Sequence, residues 1–109
     1  MAAASKLRAV ENTEQVGLSI VIPDVANIVA RSYTSSSAES AAINSPAVWL
    51  QATTDCFVTF GDSPAGPTAN NAIRLTADLL YGPFGWVPGW TLKAVSVSSD
   101  GTVKIIPGL

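Results

Sequence analysis

Trp90-Thr-Leu-Lys-Ala-Val-Ser-Val-Ser98, Ser99-Asp100-Gly101 and Thr102-Val-Lys-Ile-Ile106 form the stretch on which the fold turns. Both arms are rich in β-branched residues, which suit a pleated surface. In the second arm Val103 and Ile105 sit two residues apart and therefore share one face of a strand. Asp100-Gly101 between the arms tolerates the positive φ that a tight primed turn demands. The stretch predicts a strand, a hairpin turn and a returning strand. In the first arm the apolar set changes phase between Ala94 and Val95, which predicts a bulge or a strand covered on both faces.

Outward from this unit the period of two recurs. Leu18, Ile20 and Ile22 alternate from Gly17 up to Pro23-Asp24, and a second run covers Ala26 to Tyr33. Val48, Leu50 and Ala52 alternate with Trp49 and Gln51, and Cys56, Val58 and Phe60 alternate with Phe57 and Thr59. Thr53-Thr54-Asp55 between these two runs has turn chemistry, so they read as another hairpin. Asn71 to Thr76 predicts a short strand with Ile73 and Leu75 inward. Residues 34 to 46 are small and polar and read as a surface loop, as does Gly61 to Pro67. Ala77 to Tyr81 fits a strand or one helical turn. Gly82 to Gly89 reads as irregular, because its prolines lack a ladder donor and its glycines lack side chains.

About seven or eight short strands separated by turn signals, with no long helix, predict an all-β domain. The architecture expected is a single small antiparallel β-sandwich or barrel, jelly-roll-like. Residues 1–16 are weakly patterned and read as an N-terminal arm, either a frayed terminus or a segment that orders against a neighbouring subunit, with the β-domain spanning 17–109. Leu7 and Val10 fall near helical spacing in that arm and are candidate contacts with a neighbouring subunit.

Composition narrows the chemistry. The chain of 109 residues has no His and one Cys, so it lacks every Ser-His or Cys-His pair, a disulfide and a thiolate zinc site. Six Lys and Arg against eight Asp and Glu supply no basic footprint for nucleic acid. No segment reaches the length of a membrane helix or has the order of a signal peptide, so synthesis and folding in a cytoplasm are expected. The carboxylates are dispersed and sit mostly in turn positions: Asp55 and Asp62 flank one strand, Asp24 follows a proline and Asp100 belongs to a turn. That spacing offers no glycosidase pair and no calcium loop. Cys56 alternates with Val58 and Phe60 and reads as a small buried hydrophobe. No catalytic residue, cofactor site or metal site emerges. The expectation is a binding or structural protein.

Phe84, Trp86 and Trp90 stand close together in a Gly- and Pro-rich segment. Aromatic rings on a rigid loop serve as interface anchors, as sugar platforms or as the plug of a barrel end. Trp90, which leads into a strand, reads as core. Trp86, between Gly85 and Val87, reads with Phe84 as the contact candidate.

Four segments taken together carry a resemblance. Cys56-Phe-Val-Thr-Phe-Gly-Asp-Ser-Pro64 is followed by Thr68-Ala-Asn70, then Pro88-Gly-Trp-Thr-Leu-Lys-Ala-Val-Ser96, then Asp100-Gly-Thr-Val-Lys-Ile105. Over residues 47–109 this order resembles the small β-sandwich head decoration, or cement, proteins of tailed bacteriophages. The resemblance implies a non-enzymatic virion protein on the capsid exterior. It would form an oligomer, a trimer by the family's pattern, and its partners would be itself and the major capsid protein. It implies no individual functional residue. Two alternatives stand beside it: another virion β-module of neck, tail or fibre, and a carbohydrate-binding module stacking sugars on Phe84 and Trp86.

Overall fold

The computed structural model describes residues 22–109. Its elements in order are one 3-10 turn, Val25–Asn27, and eight strands: β1 Val29–Tyr33, β2 Ala38–Glu39, β3 Ala47–Ala52, β4 Cys56–Gly61, β5 Ile73–Leu75, β6 Leu80–Gly85, β7 Thr91–Ser96 and β8 Gly101–Pro107. They form two four-stranded sheets, in the orders β1-β8-β3-β6 and β2-β7-β4-β5, and every pairing is antiparallel. This is a β-sandwich with the strand order of a jelly roll, in which successive strands mostly change sheet.

The alternation seen in sequence becomes the core. Tyr33, Val48, Leu50, Ala52, Val103 and Ile105 from the first sheet meet Cys56, Val58, Leu75, Leu92 and Ala94 from the second, all essentially buried. Ile43, Trp86 and the half-buried Phe60, Phe84 and Trp90 close one end. Burying such side chains is the main force holding the two sheets face to face.

Several expectations need correction. The two predicted hairpins do not form. β3 pairs with β6 and β8, whereas β4 pairs with β5 and β7, so Thr53–Asp55 crosses between sheets. Likewise β7 and β8 lie in different sheets, joined by residues 97–100. Turn residues are the same whether the chain reverses within a sheet or crosses to the other, so local chemistry cannot separate the two. Among the described strands, only β4 and β5 are both consecutive and paired. Gly101 also has a different role from that expected. A Cβ there would meet the Tyr33 hydroxyl at 2.7 Å and Thr53 Oγ1 at 2.8 Å, so close approach requires glycine.

β7 carries no bulge. It runs in register with β4 from Thr91↔Gly61 to Ser96↔Cys56. Leu92 and Ala94 face the core, and Val95 lies on the outer face opposite Phe57, which accounts for the change of phase. The segment read as irregular, Gly82 to Gly89, contributes most of β6. β6 is an edge strand, where a proline costs no ladder bond. Its register against β3 shifts so that Gly82 and Pro83 lie opposite Trp49 alone. Gly82 has φ +122°, and a Cβ would meet the Val48 carbonyl at 2.9 Å, so this bulge needs glycine twice over.

The second predicted strand starts at Val29 rather than Ala26, because residues 25–27 form the 3-10 turn. The Ser-rich loop contains β2 on its way past β7. Two of its serines are buried and complete the ladders. Ser40 Oγ accepts the Leu92 N–H at 3.0 Å, and Ser45 Oγ accepts the Gly108 N–H at 3.0 Å while donating to the Ala47 carbonyl at 2.6 Å. Residues 1–16 and the Leu18–Ile22 run, except Ile22 itself, lie outside the described residues.

Candidate functional site

The structure packs both loop tryptophans against the core, Trp90 as expected and Trp86 against expectation. Trp86 is 5% exposed and sits within the core, its backbone N–H donating to the Pro46 carbonyl at 2.9 Å. Its ring packs on Phe60 at 4.9 Å between centroids and edge-on to Trp90 at 5.8 Å. Phe84 lies 5.6 Å from Phe60 in the same cluster. Trp90 packs half-buried against the core and is the more exposed of the pair. The turn Val87–Trp90 between them is closed by the Trp90 N–H donating to the Val87 carbonyl at 3.0 Å. The Trp86 indole Nε1 is buried without a hydrogen-bond partner among the described residues. Trp86 is therefore committed to this chain's own core and offers no face to a sugar or a partner. Phe84 is half-buried against the same core, and Leu7 and Val10 lie outside the described residues.

The polar residues settle into structural roles. Asp55 accepts from Arg74 Nη2 at 2.8 Å and from the Ala77 N–H at 2.9 Å, and these two bonds hold its carboxyl below the usual range. Asp24 accepts from Asn27 Nδ2 at 2.7 Å, Glu39 accepts from Thr91 Oγ1 at 2.6 Å, and Asp78 occupies a turn with φ 64°. Burial raises the Cys56 thiol, which has no exposed surface. Among the described residues no three potential ligands gather to hold a metal ion, and no helix is long and apolar enough to cross a membrane.

What the strands do assemble is an apolar surface. On the outer face of the β1-β8-β3-β6 sheet, Trp49 of β3 lies directly opposite Ile106 of β8. Ile28, one residue before β1, falls on the same parity and is 37% exposed. The Gly82-Pro83 bulge stands on the other side of Trp49. The adjoining row holds Ala30, Lys104, Gln51 and Leu80, with Leu80 59% exposed. Lys104 is the only charge in these two rows. A half-buried indole in mid-strand, between Ile106 on one side and the Gly82-Pro83 bulge on the other, forms a nearly uncharged patch of the kind that marks an interface. The alternation in the sequence sets Trp49 on the face opposite Val48, Leu50 and Ala52 and gives it no role. The patch exists only because distant strands place Ile28, Ile106 and Pro83 beside it.

A second apolar region lies where the described chain begins. An open hollow of about 310 Å³ is lined by Asp24, Asn27, Val29, Ala42, Ile43 and Pro107, among others. Beside it Ile22, Val25 and Leu109 are all more than half exposed. Comparison with protein-family models, with curated proteins and with solved structures finds no match to this chain.

Proposed function

We propose that this chain is a non-enzymatic structural protein of a tailed-phage virion, a decoration protein that stabilises the capsid by binding its exterior as an oligomer. The observation that carries the reading is the outer face of the β1-β8-β3-β6 sheet, with Trp49 and Ile106 side by side and one lysine in the adjoining row. Such a face is suited to lie flat against a larger protein surface. Jelly rolls occur in viral capsid domains, but also in lectins and cupins, so the topology agrees with the reading without carrying it. The burial of Trp86 weakens the sugar-platform alternative, since a stacking ring must present its face.

A protein that binds only the assembled shell stabilises that shell by mass action. The test compares virions made with and without the chain for release of DNA on heating. Release at lower temperature without it is the expected result, with loss of binding to undecorated virions for Trp49→Lys. Equal heat stability of the two particles would overturn the proposal.

A further inference from the structure

We infer that the protein surface covered by the β1-β8-β3-β6 face presents an Asp or Glu carboxylate to Lys104, roughly 7 Å along β8 from the group that covers Trp49 and Ile106. This rests on the proposed function and names the partner's chemistry at the same face.

The two sheets treat their cations differently. On the outer face of the β2-β7-β4-β5 sheet, Arg74 is paired with Asp55 at 2.8 Å, and Lys93 stands opposite Glu39 across the β2-β7 ladder. Each of these cations has an acid of this chain beside it. Lys104 does not. It lies opposite Ala30 on β1 and Gln51 on β3, and its neighbours along β8 on the same face are Thr102 and Ile106. All four side chains are neutral. Arg31 belongs to the other side of β1, with Val29 and Tyr33. Asp78, whose carbonyl accepts Gln51 Nε2 at 3.3 Å, precedes β6, and β3 separates it from Lys104.

In the free chain this arrangement is harmless, because Lys104 is exposed and water solvates its ammonium. Contact changes the balance. β8 is an inner strand of the sheet, and Ile106 sits two residues from Lys104 on the same face. A surface that lies on Trp49 and Ile106 therefore covers the row of Lys104 as well. An ammonium has three donors and no acceptor, and taken out of water it needs a counter-charge. A lysine held among neutral side chains in the contact thus selects a partner with an acid at that point and rejects an apolar or basic one. Attraction to anionic lipid takes a cluster of basic side chains, and this face has one. A second copy set face to face would bring another lysine and no acid from these rows.

The experiment measures binding of the full chain and its variants to undecorated virions. Lys104→Met should bind roughly thirtyfold more weakly or worse, because the partner's carboxylate is left covered and unpaired, whereas Lys104→Arg should stay within about tenfold of the unaltered chain. Both variants should melt as the unaltered chain does, since the side chain is exposed. Decorated particles are then treated with a water-soluble carbodiimide, which joins an amine and a carboxylate in contact as an amide and itself takes up the released water as a urea. Mass spectrometry should find Lys104 joined to an Asp or Glu of the major capsid protein. A Lys104→Met chain that binds as well as the unaltered one, or better, overturns the inference and leaves the decoration role standing. A link from Lys104 to a carboxylate of a second copy of this chain also overturns it. Failure of the unaltered chain to bind virions overturns the decoration role and the inference with it.

Discussion

The hydroxyl of Tyr33 on β1 lies 2.8 Å from both the carbonyl and the side-chain oxygen of Thr54, in the crossover from β3 to β4. It also accepts the Thr54 N–H at 3.3 Å, while Thr54 Oγ1 donates to the Ser99 carbonyl at 3.0 Å in the crossover from β7 to β8. One phenol thus ties together two links that pass between sheets. Gly101 stands against this knot with no room for a Cβ. Gly101→Ala should therefore cost about 1–3 kcal/mol by overpacking. Tyr33→Phe should cost about 1–3 kcal/mol by leaving Thr54 groups unpaired. Each kcal/mol lowers the melting temperature by about 4–8 °C in a domain of this size. Tyr33→Phe removes one of the oxygens that the new methyl would strike, so the double variant should melt higher than the sum of the two losses predicts. Strict additivity in calorimetry would show that the two residues do not meet.

The same knot shows how far sequence reading reaches. Which residues face inward was legible, because Val48, Leu50, Cys56, Val58, Val103 and Ile105 alternate and burial obeys that alternation. Which strands pair was not. Asp100-Gly101 and Thr53–Asp55 carry the same turn chemistry in a hairpin as in a crossover. The choice between them depends on long-range packing, including the Tyr33 hydroxyl 21 residues away from Thr54. β6 escaped for a related reason. Pro83 argues against a strand until it is known that the strand is an edge. Trp49 as a site escaped because its neighbours on the face, Ile106 and Pro83, come from the far end of the chain and from that unrecognised strand.

The pair of Asp55 and Arg74 adds to stability on the acid side. Arg74 and the Ala77 N–H favour the ionised carboxylate in the folded chain, so the folded pKa lies below the unfolded one. The stabilisation is present above the unfolded value, near 3.9, and is lost as pH falls through the folded one. Urea midpoints should fall as pH drops from about 5 towards 2, and Asp55→Asn should flatten that fall. A variant whose midpoint follows the wild-type curve throughout would show that the pair, both members partly exposed, contributes nothing measurable.

Cys56 reports on global opening. Its thiol is fully buried, and burial raises its pKa. A raised folded value means that the associated stability is present below the unfolded pKa, about 8.5, and is lost as pH climbs through the folded one. At pH 7.5 a thiol reagent should leave native protein unmodified, and labelling should rise with urea along the same transition as tryptophan fluorescence. Rapid labelling in the absence of denaturant would show that the core opens locally around β4.

Trp49 and Trp86 should behave as opposites. Trp86 is packed against Phe60 and Trp90 inside the end of the sandwich, so Trp86→Ala should cost about 3–5 kcal/mol, enough to unfold much of the population in a marginally stable domain. Trp49 stands on the outer face between Ile106 and the Gly82-Pro83 bulge, where the chain itself buries it only in part. Trp49→Lys should leave the circular dichroism spectrum intact and shift the melting temperature by only a few degrees. It should abolish adherence to the surface that this face covers, because a lysine set into an apolar contact must be desolvated without a partner. Ile106→Lys on the neighbouring strand should produce the same loss, whereas Thr59→Lys, on the outer face of the other sheet, should not. Equal loss from Thr59→Lys would move the contact to the second sheet, and a Trp49→Lys chain that still binds would leave the indole as surface packing alone.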